Sequence, residues 1–139
     1  MNEIRSQIAA YADQNHIQLI YAFGSRAKEI RSRADGVETE SENSSSDLDI
    51  GVKAKNPLDL DSKVRIAIFF EDLFDISKVD VIDLQEAPVF LALEIVEGEL
   101  LYACDDYLEA EYQLYVMRRA AELFPFERQV RAMILGQDK

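Results

Sequence analysis

The sequence predicts an α/β (α+β) domain in which about four strands are flanked by helices and a helical segment ends the chain. Four short runs rich in β-branched and aromatic residues alternate with segments whose apolar residues recur at helical spacing. The chain has 139 residues, 48% of them hydrophobic, which is enough for one domain with its own core. We therefore expect a single domain over residues 1–139.

The first third of the chain predicts a helix, a strand and a second helix. Ile4, Ile8 and Tyr11 fall at i, i+4 and i+7, which indicates a helix ending near residue 15. Residues 17–23 are nearly all apolar, as expected of a strand buried on both faces. Gly24 ends that strand, and a short polar helix is expected to begin at Ser25.

An acidic and serine-rich segment follows the second predicted helix. Residues 34–46 offer almost nothing to bury, so we expect a flexible loop there. The acidic run at 38–42 is expected either to be solvated or to contact a binding partner.

Residues 48–52 predict the next strand. A helix is expected to follow it, because residues that can serve as a helix N-cap lie three and five positions after Asn56. Asp59 or Asp61 is the expected N-cap, and the helix is expected to end near Asp75. Its apolar side is predicted to consist of Val64, Ile68, Phe69 and Leu73.

The remaining chain predicts two strands separated by a helix, and then a long helical segment. Strands are expected at 79–84 and 99–104, with a helix over 89–96 that starts after Pro88. Residues 105–135 are expected to be helical, with a break around Pro125.

The turn after the first strand has the composition of a phosphate site. Backbone N–H groups at a helix start attract phosphate oxygens, and Gly24 permits a close approach of the backbone. The Ser25 hydroxyl adds a donor. Arg26 and Lys28 are expected either to add positive charge beside a phosphate or to point into water.

Two carboxylates lie two positions apart at the start of the second strand. Asp47 and Asp49 are expected to point to one face, because side chains i and i+2 of a strand share a face. Carboxylate oxygens suit Mg²⁺, and the pair can share two Mg²⁺ ions roughly 3.5–4 Å apart. Gly51 continues this face and is expected to leave room for a nucleotide.

The third strand offers two candidates for a further carboxylate ligand. Asp80 and Asp83 are three positions apart, so a regular strand places them on opposite faces and only one can be the further ligand.

Each motif taken alone has a simpler interpretation: the glycine turn could be a strand end with a helix cap, and the aspartate pair could lie on a solvated strand face. Their joint occurrence favours a site for nucleotidyl transfer.

The net charge and the hydropathy of the chain limit the kinds of partner that such a site could have. The formal net charge is −12, which argues against direct nucleic-acid binding and favours a basic protein partner. No apolar run approaches the roughly 20 residues needed to cross a bilayer, and residues 1–7 do not resemble a signal peptide. We expect a cytoplasmic protein that does not bind a membrane.

The combined motifs resemble those of the MNT family of minimal nucleotidyltransferases, within the polymerase-beta-like superfamily. The resemblance is carried by GSRA at 24–27, DLDIGV at 47–52, KVDVIDL at 78–84 and EGELLY at 97–102. It implies a nucleotidyltransferase fold with a mixed sheet, with ATP and two Mg²⁺ ions as cofactors. The positions that match the family's active site are Gly24, Ser25, Asp47, Asp49 and Asp80, so the resemblance selects Asp80 over Asp83. The 21 residues between Ser25 and Asp47 make this connection longer than is usual in the family.

The resemblance also implies a function and a partner. Short members of this family commonly act as antitoxins that attach AMP to a tyrosine of a HEPN-domain ribonuclease toxin. Two other hypotheses stay open: an antitoxin that inhibits its toxin only by covering it, and a nucleotidyltransferase that acts on a small molecule. Against the last, the chain is short for a second substrate-binding domain.

Overall fold

The computed structural model describes residues 2–37 and 47–134 of the chain. Most of the loop expected at 34–46 therefore lies outside the described residues. The elements are, in order, α1 (Glu3–Gln14), β1 (Ile17–Phe23), α2 (Ala27–Ala34), β2 (Leu48–Ala54), α3 (Leu60–Phe74), β3 (Val79–Asp83), α4 (Val89–Val96), β4 (Glu99–Ala103) and α5 (Asp106–Ile134). The four predicted strands are confirmed. β2 runs two residues further than expected, and β3 and β4 each end one residue earlier.

The four strands form one mixed sheet in the order β3-β2-β1-β4. The central strand β1 is antiparallel to both β2 and β4, whereas β2 and β3 run parallel. The carboxyl end of β1 therefore meets the amino ends of β2 and β3 at one edge of the sheet, since Phe23 pairs with Asp49 and Asp49 pairs with Asp80.

Helices cover both faces of the sheet, and each face has its own apolar cluster. Helices α1, α2 and α3 pack on one face, which receives Ile20 and Ala22 of β1 and Leu48, Ile50 and Val52 of β2. Helices α4 and α5 pack on the other face, which receives alternate residues of β1: Leu19, Tyr21 and Phe23. This alternation follows from the two-residue period of a strand and places Asp49 and Gly51 on the face of α4 and α5.

Helix α3 begins as predicted but buries a different side. Asp59 is its N-cap and accepts a hydrogen bond from the Ser62 N–H at 2.8 Å. The side that is fully buried consists of Ile66, Phe70 and Phe74. Of the four residues predicted to face the core, Phe69 and Leu73 are partly buried, whereas Val64 and Ile68 are about half exposed. The prediction was wrong for Val64 and Ile68, because every position from 66 to 70 is apolar and the pattern does not select one face.

Helix α5 is one continuous helix of 29 residues, and the predicted break at Pro125 was wrong. Proline lacks an N–H group and leaves the carbonyl of Ala121 without its helical partner. Both residues are exposed, so water can satisfy that carbonyl at small cost. Within the described residues, no helix is both long and apolar enough to span a bilayer.

Candidate active site

Asp49 and Asp80 lie side by side on the parallel pair of strands. Their Cα atoms are register partners, and adjacent strands of a sheet are about 4.8 Å apart. Asp80 shares the face of Asp49, because its neighbours Val79 and Val81 belong to the opposite cluster. The structure thus brings together two of the three carboxylates predicted from the sequence.

The glycine turn after β1 lies directly against the carboxylate of Asp49. Gly24 has φ +79°, and a Cβ atom added to it would lie 2.6 Å from Asp49 Oδ2. The turn is closed by the Ala27 N–H, which donates to the Gly24 carbonyl at 3.3 Å. Glycine is required here both by the backbone conformation and by the neighbouring carboxylate.

The two residues after Gly24 differ in their exposure. Ser25 is exposed at the start of the turn, where its hydroxyl can reach a bound group. Arg26 is the N-cap residue of α2 and is buried, with 4% of its surface exposed. Its Nη2 donates to Glu29 Oε2 at 2.9 Å, so Arg26 does not point into water and its charge is met within α2.

Asp47 precedes β2 and is turned toward a cation. Its Oδ2 lies 3.4 Å from Nζ of Lys78, the residue immediately before β3, and both side chains are well exposed. The strands are joined at this point, because the Leu48 N–H donates to the Lys78 carbonyl at 3.2 Å. An exposed pair of this kind contributes only about 0–1 kcal/mol, so Asp47 is held weakly.

The electrostatics of Asp49 show that the acidic residues act on one another. Burial raises the pKa of Asp49, and the negative charges of Asp80, Asp47 and Glu94 raise it further. Asp49 thus experiences both other predicted carboxylates and one that the sequence reasoning missed.

Glu94 belongs to α4, which packs its Ala92, Ile95 and Val96 against the sheet. It is exposed and is the one charged residue of that helix. A charge within the otherwise apolar run 89–96 is the sequence signal that could have identified it.

Two nearby residues have structural roles. Asp83 is 2% exposed and accepts hydrogen bonds from the N–H groups of Leu58 at 3.0 Å and Gln85 at 2.9 Å, so it is a turn carboxylate. The space beside Gly51 is filled by α4, since an added Cβ would lie 2.4 Å from Cγ2 of Ile95. The expectation that Gly51 leaves room for a nucleotide was therefore wrong, because this glycine admits a helix instead.

The donor atoms at this edge fit a hard divalent cation. Asp49 and Asp80 present adjacent carboxylate oxygens, the ligands that Mg²⁺ prefers. Their mutual repulsion, which is part of the raised pKa of Asp49, is what a bound cation would relieve. Across residues 2–37 and 47–134, however, no three His, Cys, Asp or Glu side chains are gathered closely enough to form a metal site, and Asp47 faces Lys78 instead.

Comparisons with known proteins agree with the observed fold. The family model described as polymerase beta, nucleotidyltransferase, matches residues 6–107. A comparison with curated proteins finds no match. A chain of a crystal structure of a toxin-antitoxin with AMP-PNP has a TM-score of 0.70 and 22% identity, covering 94% of this chain and 98% of that chain. A chain of the toxin-antitoxin MntA-HepT gives 0.68 and 21%, covering 95% and 97%.

A third structure contains the tri-AMPylated Shewanella oneidensis HEPN toxin in complex with MNT antitoxin. The matching chain has a TM-score of 0.57 and 26% identity, covering 93% of this chain and 97% of that chain. These likenesses confirm the predicted nucleotidyltransferase fold. Because the family model covers the glycine turn and all three strands that carry the site, the chain belongs to the polymerase beta nucleotidyltransferase family.

Proposed function

We propose that this protein is an antitoxin that transfers AMP from ATP to a tyrosine hydroxyl of a HEPN-domain ribonuclease toxin and so neutralises it. The observation that carries the proposal is the contact between the Gly24 turn and the Asp49–Asp80 pair, which sets a phosphate-binding bend against adjacent carboxylates. The family match supports nucleotidyl transfer, and the toxin complexes among the similar structures support the choice of acceptor.

The reaction forms one bond and breaks one. The tyrosine oxygen attacks the α-phosphorus of ATP, and the bond between that phosphorus and the bridging oxygen breaks. Pyrophosphate leaves with the bonding electrons, and the hydroxyl proton passes to a base. The negatively charged triphosphate must therefore be held in a fixed position, and a carboxylate must lie within reach of the hydroxyl proton.

The residues divide these tasks by position. Gly24 and Ser25 form the exposed bend at the start of α2, where backbone N–H groups and the hydroxyl hold phosphate oxygens. Asp80 accepts the hydroxyl proton, since it lies in the same carboxylate pair as Asp49 at the mouth of the site.

Asp47, Asp49 and Asp80 would also hold Mg²⁺, which when bound offsets the charge of the triphosphate. For Asp47 this requires its carboxylate to leave Lys78, a change that costs little because the ion pair is exposed. Arg26 lies next to the phosphate-binding bend and stabilises the first turn of α2 through its hydrogen bond to Glu29.

The test is intact-mass spectrometry of a HEPN-domain partner after incubation with this protein, ATP and Mg²⁺. We expect added masses of AMP on the partner with the wild-type protein and none with Asp49→Asn. The matched control is Asp61→Asn, which removes an equally small charge at an exposed site in α3 and should leave transfer unchanged. Neutralisation of the toxin by Asp49→Asn without any adduct would contradict the proposal and favour inhibition by covering.

A further inference from the structure

The apolar stripe of α5 continues beyond the domain that it packs against. Val116 and Ala120 are buried, and Ala120 is the last buried residue among the side chains of α5 that the structure describes. Leu123 and Val130 follow Val116 at intervals of seven residues, which is two helical turns, so they point in the same direction. The core-facing stripe therefore extends past the core, where Leu123 is partly buried and Val130 is 37% exposed.

Beyond the core, this stripe and the start of α4 form an open groove of about 660 Å³, here called the distal groove. Its lining is almost wholly apolar: Val89, Phe90, Leu123, Phe126, Val130 and Ile134. Phe126 and Ile134 are 66% and 77% exposed, unusual fractions for large apolar side chains that lie together. A groove with apolar residues at helical spacing is the geometry that accepts an amphipathic helix.

The segment of α5 that carries the distal groove has a net charge opposite to that of the protein as a whole. The chain has a net charge of −12, yet residues 117–134 contain four arginines and two glutamates. Arg131 is itself part of the lining. A helix with acidic side chains beside its apolar face would complement this surface.

The distal groove and the electrostatics of the candidate active site share one helix, α4. Phe90 lines the groove, and Leu93 and Glu94 follow it on the same side of α4 at i+3 and i+4. Glu94 in turn contributes to the electrostatics of Asp49. A protein seated in the groove would therefore contact the same helix that carries Glu94.

We infer that the distal groove is the docking site for the partner that the active site modifies, and that it takes an amphipathic helix with acidic side chains flanking its apolar face. The inference rests on the proposed function for the identity of that partner. Docking there would hold the acceptor protein while one of its hydroxyl groups reaches the Asp49–Asp80 pair.

The experiment measures the affinity of the full-length protein for a HEPN-domain partner by calorimetry, with Phe126→Asp and Val130→Asp as groove variants. The matched control is Leu114→Asp, because Leu114 is 56% exposed and lies half a turn away from Leu123 around α5. We expect each groove variant to raise Kd by about 30-fold or more, as for a buried apolar anchor, and the control to stay within about twofold. Added salt should weaken the wild-type complex.

Two further measurements separate this inference from the proposed function. Binding of AMP-PNP should be the same in the two groove variants, in Leu114→Asp and in the wild type. Asp49→Asn should keep the affinity for the partner while losing AMP transfer. Loss of affinity in the groove variants without any AMP transfer by the wild type would refute the proposed reaction and keep the docking site. Unchanged partner affinity in both groove variants, or no partner binding by the wild type, would overturn the inference. A wild-type dimer that Phe126→Asp dissociates would also overturn it, because a second copy would then occupy the groove.

Discussion

Replacing Gly24 with alanine challenges the contact between the turn after β1 and the carboxylate of Asp49. The substitution has two separable effects. The backbone of Gly24 has φ +79°, a conformation that costs a residue with a Cβ roughly 1–2 kcal/mol. The new methyl group would also lie 2.6 Å from Asp49 Oδ2, well inside van der Waals contact, so the carboxylate or the turn must move.

A second glycine of the chain isolates the first of these effects. Gly36 has φ +82°, and no atom of residues 2–37 or 47–134 lies within 4 Å of a Cβ added there. Gly36→Ala should therefore destabilise the protein by the backbone cost alone, roughly 1–2 kcal/mol. Gly24→Ala should cost about 1–3 kcal/mol more than that, the usual penalty for forcing a methyl group into an occupied space.

The assay is urea-induced unfolding followed by circular dichroism, with AMP transfer measured on the same samples. We expect Gly24→Ala to lose transfer and Gly36→Ala to retain it. In an Asp49→Ala background the carboxylate is gone, so the extra cost of Gly24→Ala should disappear. Equal destabilisation by the two glycine substitutions, with transfer intact in both, would refute the contact on which the active-site assignment depends.

Three further predictions concern the site and its support. Folding raises the pKa of Asp49, so the stability that this side chain contributes is present at acid pH and is lost as the pH rises through the raised pKa. Asp49→Asn should therefore stabilise the metal-free protein at neutral pH. In urea titrations from pH 4 to 8, this gain in stability should shrink on acidification. A gain independent of pH would contradict this. Tyr21→Phe should lower the free energy of unfolding by about 1–3 kcal/mol in the same assay, because the buried phenol donates to Glu109 Oε2 at 2.6 Å and that bond connects α5 to the sheet. A loss of stability below about 0.5 kcal/mol would show that α5 is held by apolar packing alone. Gly51→Ala should cost about 1–3 kcal/mol, since its methyl group would meet Ile95, and Ile95→Ala should recover part of that loss; an additive double substitution would exclude the contact.

The sequence was informative where hydrophobic period and special residues agreed. The run 17–23 was predicted to be a strand buried on both faces, and it is an interior strand of the sheet, paired on both sides. The spacing of Asp49 and Gly51 fixed their common face, which the structure confirms through the opposite burial of Leu48, Ile50 and Val52.

Other features depend on tertiary contacts that no local pattern records. Gly51 was assigned to nucleotide access because a missing side chain does not reveal what fills the space, and only the packing of α4 shows that Ile95 does. Glu94 was not predicted from the sequence for the same reason, since its effect on the pKa of Asp49 follows from where α4 lies on the sheet. Pro125 did not interrupt α5 because its surroundings are solvent, which the local sequence does not specify.

The most direct test of the account is a crystal structure of the protein with AMP-PNP and Mn²⁺, with the manganese located by its anomalous scattering. We predict manganese between the carboxylates of Asp49 and Asp80, with phosphate oxygens on the Gly24–Ser25 bend. Nucleotide bound elsewhere on the chain, or at this bend with the metal away from both carboxylates, would contradict it.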